Sequence, residues 1–263
     1  MPAVYAHDRF GEKVLEQMRP ELRVIAKKYI HAFRIGLQGP DIFFFYRPWE
    51  HNGVQRYGTH LHEIPARPFF YYAADVVRRY GRDSGQYAYL LGYLCHFTLD
   101  SECHPYVESF IGKSGVAHLE IEEEFEKMLL RMDGKEAISY PMGNLISWGT
   151  YTPGHISPFY PSIKDLTVLG SLRGMRFVKK LFTAPFASQQ WVLNTIMKRM
   201  GVYHEMKGLM NQRRDEVRCI ESNEELLRRF TKAVPLAVQL QRELDLCIRK
   251  GQPLGERFKR TFE

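Results

Sequence analysis

Residues 93–107 read "YLCHFTLDSECHPYV", a helical and largely apolar stretch that carries three metal-capable side chains. His96, Asp100 and His104 follow one another at intervals of four residues. Because an α-helix advances about 100° per residue, these side chains fall within a fan of about 80°. They are predicted to lie on one stripe of a buried helix and to converge on one point.

A single buried His or Asp would be explained as a hydrogen-bonded core residue or as a helix cap. Three such groups on one stripe, with Leu91, Leu94, Phe97 and Leu99 around them, are harder to explain in that way. Burying several ionisable groups without partners costs several kcal/mol. A bound cation would remove that cost, so the stretch favours a metal site.

The chain has 263 residues, of which 44% are hydrophobic, and this is enough to bury a sizeable core. We expect a single all-helical domain over residues 1–263, with a metal-ligand half at 1–125 and a basic half at 126–263. The net charges of these halves are −2 and +9. The basic half could attract a phosphate-bearing substrate or a membrane surface, or it could consist of ordinary solvated helix faces.

The start of the chain, "MPAVYAHDRFGEK", contains no apolar run, and no stretch approaches the roughly 18 apolar residues of a membrane span. A cytoplasmic location is therefore expected. The four cysteines show no C-x-x-C spacing, which predicts reduced, buried thiols. Cys95 and Cys103 each precede a His, but adjacent helical residues point about 100° apart, so thiolate ligation is not expected.

Helical periodicity covers most of the chain and predicts an all-α protein. The predicted helical segments are 8–18, 21–36, 66–79, 85–103, 116–131, 163–182, 189–210 and 223–249. The prolines at 20, 65, 105 and 161 are expected to separate segments, and Pro235 is expected to kink or divide the last one. Two long connections, 38–65 and 133–161, are rich in aromatic residues, which favours a functional role over disorder.

Further candidate ligands accompany the stripe. His118 and Glu122 stand four residues apart in "HLEIEEEFEKM", a spacing that lets two helical side chains hold one ion. The first long connection holds Asp41, His60 and His62, and His7 stands near the start of the first helix. Helices and a connection could therefore bring together His and carboxylate groups, the ligands that zinc accepts.

Several other classes of site are excluded by their motifs. The string "GKS" at 112–114 has Val107 where a phosphate-binding loop requires Gly. The chain has no H-E-x-x-H metalloprotease helix and no G-x-S-x-G nucleophile elbow. Di-iron bundles use Glu-x-x-His pairs, whereas this chain spaces its pairs by four.

Taken together, "GPD" at 39–41, "LGYLCHFTLDSECHPYV" at 91–107 and "HLEIEEE" at 118–124 resemble the zinc-dependent phospholipase C family. That family consists of all-helical enzymes related to the tri-zinc single-strand-specific nucleases. The resemblance covers about residues 1–125. It implies a zinc centre built from the helices and the long connection.

Carried over by position, the resemblance implies two zinc ions and raises the question of a third. The first would be held by Asp41, a His of the connection, His96 and Asp100; the second by His104, His118 and Glu122; the third by His7, with Asp100 as a bridge. His62 is preferred over His60 because "LHEIPARPFF" resembles the family's approach to the next helix. Secreted relatives complete the third site with a processed N-terminal Trp, whereas this chain starts with Met1 and Pro2.

The activity that the resemblance implies is cleavage of a phosphodiester bond, most simply by a phospholipase C-like reaction. Asp41 would orient or deprotonate the attacking water. A nuclease-like phosphodiesterase and a non-catalytic metal-binding scaffold are the alternatives. The aromatic run Phe43, Phe44, Phe45, Tyr46 and Trp49 could form a pocket wall or simply pack the connection. The expected partners are a small-molecule or lipid phosphodiester and a transient membrane surface, with no stable nucleic-acid complex.

Overall fold

The structure, a computed structural model, describes residues 3–262. Twelve α-helices occur in this range, and no strand does, which confirms the predicted all-α fold. They are α1 (Val4–Gln17), α2 (Pro20–Lys28), α3 (Ile30–Gly36), α4 (Gly53–Glu63), α5 (Arg67–Tyr80), α6 (Gly85–Ser114), α7 (His118–Met132), α8 (Thr152–Ile156), α9 (Asp165–Leu181), α10 (Ala187–Arg199), α11 (Tyr203–Met206) and α12 (Ile220–Lys250). Short 3-10 helices cover Gly39–Phe45, Met142–Asn144, Ser157–Phe159, Lys207–Leu209, Val217–Cys219 and Glu256–Lys259.

Helix α6 lies at the centre of the molecule and is buried on nearly all sides from Gly85 to His104. It packs against α1, α2, α3, α5 and α12. Two glycines allow the closest of these crossings, because a Cβ on Gly36 would lie 2.2 Å from the carbonyl oxygen of Tyr89, and one on Gly92 would lie 2.1 Å from that of Phe33. A helix that is apolar all round is stable only when it is covered in this way.

Helix α6 continues through Pro105, so the prediction that this proline ends a segment is wrong. A proline lacks the N–H that the preceding turn needs. The carbonyl oxygen of Ser101 accepts a hydrogen bond from Arg260 at 3.3 Å, and that of Glu102 accepts one from Arg229 at 2.8 Å. Partners distant in sequence thus satisfy the carbonyls near the proline. Helix α12 likewise continues across Pro235.

The connection predicted over 38–65 is more ordered than a loop. It contains the 3-10 helix Gly39–Phe45 and then α4, whose Asn52 cap accepts hydrogen bonds from the backbone N–H groups of Val54 and Gln55 at 3.0 and 3.1 Å. The segment predicted as one helix over 189–210 is instead divided, because α10 ends at Arg199 and Gly201 has a φ of +74°.

The main hydrophobic core includes residues from Ala3 to Phe262, and a smaller cluster joins Ala184, Met197 and Met210. The single-domain organisation stays a prediction. No helix within residues 3–262 combines the length and the apolar character that crossing a bilayer requires.

Candidate metal centre

Eight predicted ligands come together in three groups, in each of which the candidate ligand atoms lie within 4.8 Å of one another. The groups are His7, His96 and Asp100; Asp41, His62 and His96; and His104, His118 and Glu122. His96 belongs to the first two, so these form one continuous inner cluster. The third is the outer group.

The inner cluster is built on the middle of α6. His96 Nε2 lies 3.0 Å from Asp100 Oδ2, and the other oxygen of Asp100 lies 3.2 Å from His7 Nε2. Helix α1 packs against α6 and so brings His7 to this point, with its ring centroid 4.4 Å from that of His96. All three side chains are buried. Asp100 therefore sits between two imidazoles and offers one oxygen to each.

Asp41 reaches the cluster from the 3-10 helix that follows α3. The preceding Gly39 has a φ of +50°, and a Cβ there would lie 2.1 Å from the ring of His96. Only glycine meets both conditions, because it adopts a left-handed backbone without strain and needs no side-chain space. Asp41 Oδ1 lies 3.9 Å from His96 Nε2. Gly39 of the "GPD" motif thus allows the backbone to pass close to the imidazole of His96.

His62, and not His60, completes this part of the cluster. His62 Nε2 lies 2.9 Å from Asp41 Oδ1, and its Nδ1 lies 2.8 Å from the carbonyl oxygen of Gly58. The backbone contact makes Nδ1 the protonated nitrogen and turns Nε2 toward the cluster. His60 is exposed and belongs to none of the three groups of described residues. Because residues two apart on a helix point about 200° apart, α4 can present only one of them.

The outer group joins α6 to α7. Glu122 Oε1 lies 2.7 Å from His118 Nε2 and 3.5 Å from His104 Nε2. The other ring nitrogen of His118 lies 2.9 Å from Glu108, so this imidazole is held between two carboxylates. The side chain of His118 is 32% exposed, whereas every other member of the three groups is buried. The outer group is therefore the one open to solvent.

The stripe on α6 does not converge on a single point as the helical spacing predicts. Eight residues of helix advance about 12 Å along the axis, too far for His96 and His104 to share one ion. Asp100 is 3.0 Å from His96 but 4.0 Å from His104. The stripe thus spans both the inner cluster and the outer group, with Asp100 between them.

The residues present fit a divalent cation. Both ring nitrogens of His7, His96 and His104, and both oxygens of Asp100, are buried without a hydrogen-bond partner in the described chain, although they approach one another closely. Leaving so many buried polar atoms unsatisfied is costly. Zinc ligands lie about 2.0–2.2 Å from the ion and hence about 3.4 Å apart in a tetrahedron, which is the scale of these contacts. No cysteine among residues 3–262 joins the groups.

The charge states of Asp100 and His96 suit coordination. Burial opposes the ionised form of Asp100, but His96, His104 and His7 outweigh it and hold its pKa well below the usual range. Burial lowers the pKa of His96 and keeps the ring neutral. In the outer group, Glu122 raises the pKa of His118 to about 9, so this imidazole must lose a proton before it can bind a metal ion. The three carboxylates of these groups, Asp41, Asp100 and Glu122, are ionised at neutral pH, as metal ligands must be.

Lys179 is a charged residue near the centre that the sequence reasoning did not single out. It is buried, and burial lowers its pKa while Glu126, Glu122 and Asp41 act in the opposite direction. Lys179 thus interacts electrostatically with Asp41 of the inner cluster and with Glu122 of the outer group. It belongs to the basic half of the chain, for which the sequence leaves open phosphate attraction, a membrane surface and ordinary solvated helix faces.

A signal for Lys179 was present in the pattern of α9. The buried residues Val168, Leu172 and Met175 precede it at helical spacing, so position 179 falls on the inward face. A charge on the buried face of a helix is unusual unless it meets an opposite charge.

A cavity of about 680 Å³ opens beside the candidate metal ligands. His62, His104 and His118 line it together with a mainly apolar wall. That wall consists of Phe44, Phe45, Pro48, Trp49, Thr59, Leu119, Phe177, Val178, Leu181, Phe182, Met200, Met206 and Leu209. The aromatic run after Asp41 is therefore divided, since Phe44, Phe45 and Trp49 line the cavity while Phe43 is buried with its ring 4.8 Å from that of Tyr160.

Met1 and Pro2, where the chain departs from the secreted relatives, lie outside the described residues.

The sequence profile of the family described as zinc dependent phospholipase C matches residues 6–155. The matched region includes all the predicted ligands, from His7 to Glu122. No curated protein and no solved structure matches the chain.

Proposed function

Because the chain belongs to the zinc-dependent phospholipase C family, a family of metal-dependent hydrolases, we propose that it cleaves phosphodiester bonds in the manner of a phospholipase C. One observation carries this proposal. Buried His and carboxylate groups, suited to divalent cations, stand at the end of a largely apolar cavity of about 680 Å³. A phosphodiester with an apolar substituent matches both the cations and the wall.

We assign two zinc ions to the centre. Asp41, His62, His96 and Asp100 would hold the first, and His104, His118 and Glu122 the second. His7, beside Asp100, would contribute to a third. Bound divalent cations supply Lewis acidity toward phosphoryl oxygens and lower the pKa of a bound water toward about 7. The outer group offers three protein ligands, which leaves a coordination position for water or substrate and is typical of catalytic zinc sites.

The chain's own residues would orient the reactants. Although burial opposes ionisation of Asp41, His96 and His62 lower its pKa below the usual range, so it is a carboxylate at neutral pH. An efficient general base has a pKa near the working pH. Asp41 is therefore better suited to hold and orient the water than to deprotonate it. His118, the exposed ligand at the cavity, marks the side from which a phosphate would approach.

The cavity wall favours a lipid over a nucleic acid. Its aliphatic and aromatic side chains suit acyl or glyceryl carbons, and burial of such groups contributes roughly 25 cal/mol per Å². One feature favours a nucleotide: Trp49 and Phe177 meet edge to face at 6.3 Å and could stack on a base. A nuclease-like phosphodiesterase is thus the second candidate.

The first experiment compares His62→Ala with His60→Ala in turnover of a p-nitrophenyl phosphodiester, with and without a chelator. The two residues lie on the same turn of α4, yet only His62 belongs to a metal group. We expect His62→Ala to lose most chelator-sensitive turnover and His60→Ala to keep it. Equal behaviour of the two variants would contradict the assignment.

The second experiment identifies the substrate class. Release of the phosphorylated head group from phosphatidylcholine is compared with digestion of single-stranded DNA. Preference for the lipid supports the proposal, and preference for DNA supports the second candidate. Absence of chelator-sensitive turnover on any diester would favour a metal-binding scaffold.

A further inference from the structure

Large apolar side chains surround the mouth of the cavity while remaining exposed to water. Trp49, Phe177 and Met200 are 73%, 54% and 69% exposed, and Leu181 and Met206 are also exposed. We call these five residues the apolar rim. Single exposed apolar residues are ordinary on protein surfaces, but several around one opening mark a binding surface.

Helix α10 extends the apolar rim. Val192, Ile196 and Met200 follow one another at four-residue intervals, and all three are exposed. Residues at this spacing lie on one helix face, so the apolar surface runs along α10 to the cavity mouth at Met200. Trp191, next to this face, is 68% exposed. An ordinary surface helix turns its apolar face inward, whereas this face points to solvent.

The same segment carries only positive charge. Residues 166–204, which include nearly all of α9 and the whole of α10, contain six Lys and Arg and no Asp or Glu. Four of the cations are exposed: Arg173, Lys180, Lys198 and Arg199. Lys180 and Arg199 are close in sequence to Leu181 and Met200 of the apolar rim. Apolar side chains flanked by cations are the composition of surfaces that insert into the interface of an anionic bilayer.

We propose that the apolar rim and the exposed face of α10 dock onto the surface of a bilayer that contains anionic phospholipid. This inference deepens the proposed function, because docking there would set the cavity and the metal ligands against the head groups. A second copy of the chain fits the surface less well. Joining two such faces would bring together cations of like charge.

The test uses vesicles of phosphatidylcholine, with and without phosphatidylserine, in a sedimentation assay. The variant Ile196→Ser/Arg199→Glu removes one apolar and one cationic side chain that lie three residues apart on α10. The matched control, Val24→Ser/Lys27→Glu, makes the same kind of change at exposed positions three apart on α2. We expect the affinity of the α10 variant for vesicles that contain phosphatidylserine to fall by about tenfold or more. The control should bind like the parent.

Far-ultraviolet circular dichroism and the thermal unfolding midpoint are measured on the same proteins to show that both variants are folded. Loss of vesicle binding in the α10 variant alone supports docking, even if no diester is cleaved, so the inference and the proposed function can fail separately. A parent protein that binds neither vesicle, or an α10 variant that binds like the parent, would overturn the inference. The inference would also be overturned if the parent were a dimer and the α10 variant a monomer while both proteins bound vesicles equally well.

Discussion

The two halves of the chain contribute differently to the centre. Residues 3–125 supply every side chain of the three metal groups. Residues 126–262 supply no ligand in the described structure, but they provide one wall of the cavity, the buried Lys179 and Phe262, whose ring centroid lies 5.7 Å from that of His96. We therefore expect the proposed reaction to depend on the first half, and the choice of substrate to depend on wall residues of both halves, which substitutions can distinguish.

The strongest test of the first half is Asp100→Ala. Asp100 contacts imidazoles on both sides, so its removal should disperse the inner cluster and reduce turnover of every diester by roughly a thousandfold, or ~4 kcal/mol of barrier. Metal analysis of the purified variant should show a matching loss of bound ions. A variant that keeps its metal and acts normally on any diester would refute the assignment of the reaction to this half.

A smaller effect is expected from Glu108→Ala, which removes the carboxylate behind His118. Residues that support a metal ligand in this way typically change metal affinity by about 10- to 100-fold. Competition with a chromogenic chelator measures the change, and the exposed Glu63→Ala provides a control on α4. Unchanged zinc affinity in Glu108→Ala would show that the contact with His118 does not contribute to binding.

The outer group also predicts a pH dependence. The folded-state pKa of His118 is raised from 6.5 to about 9, so the metal-free protein holds a proton there at pH 7 that zinc must displace. Affinity of this group should therefore fall by up to about tenfold for each pH unit below 9. Glu122, with a pKa lowered to about 2, stays ionised in this range. Calorimetry in two buffers should detect the released proton; pH-independent zinc binding between pH 6 and 8 would be inconsistent with this.

The smallest expected effect belongs to the second half. Phe177→Ala removes part of the cavity wall without touching a ligand, so turnover of a long-chain lipid should fall about fivefold, or ~1 kcal/mol, relative to a p-nitrophenyl diester. Phe186→Ala, an exposed aromatic outside the cavity, is the control. An equal loss of turnover on both substrates would show that Phe177 affects the reaction itself. It would contradict the different roles assigned to the two halves.

Several features of the fold and the site were predictable from local spacing. The all-α fold followed from periodicity, and His118 with Glu122 followed from a four-residue interval within one helix. Local spacing did not predict the continuation of α6 through Pro105, and it did not decide between His62 and His60, a choice that rested on the family resemblance alone. The first depends on Arg260 and Arg229, more than 120 residues away. The second depends on which side of α4 faces Asp41, and the sequence did not reveal that α4 was a helix.

By itself, the sequence determined the chemistry of the ligands, because helical spacing fixes which side chains share a face. Only the tertiary structure decided how those ligands divide, since the rise of α6 separates His96 from His104 and leaves Asp100 between the inner cluster and the outer group. It also decided that Phe177 lines the mouth of the cavity and that the face of α10 stays uncovered. These outcomes depend on contacts between distant segments, which no local pattern encodes.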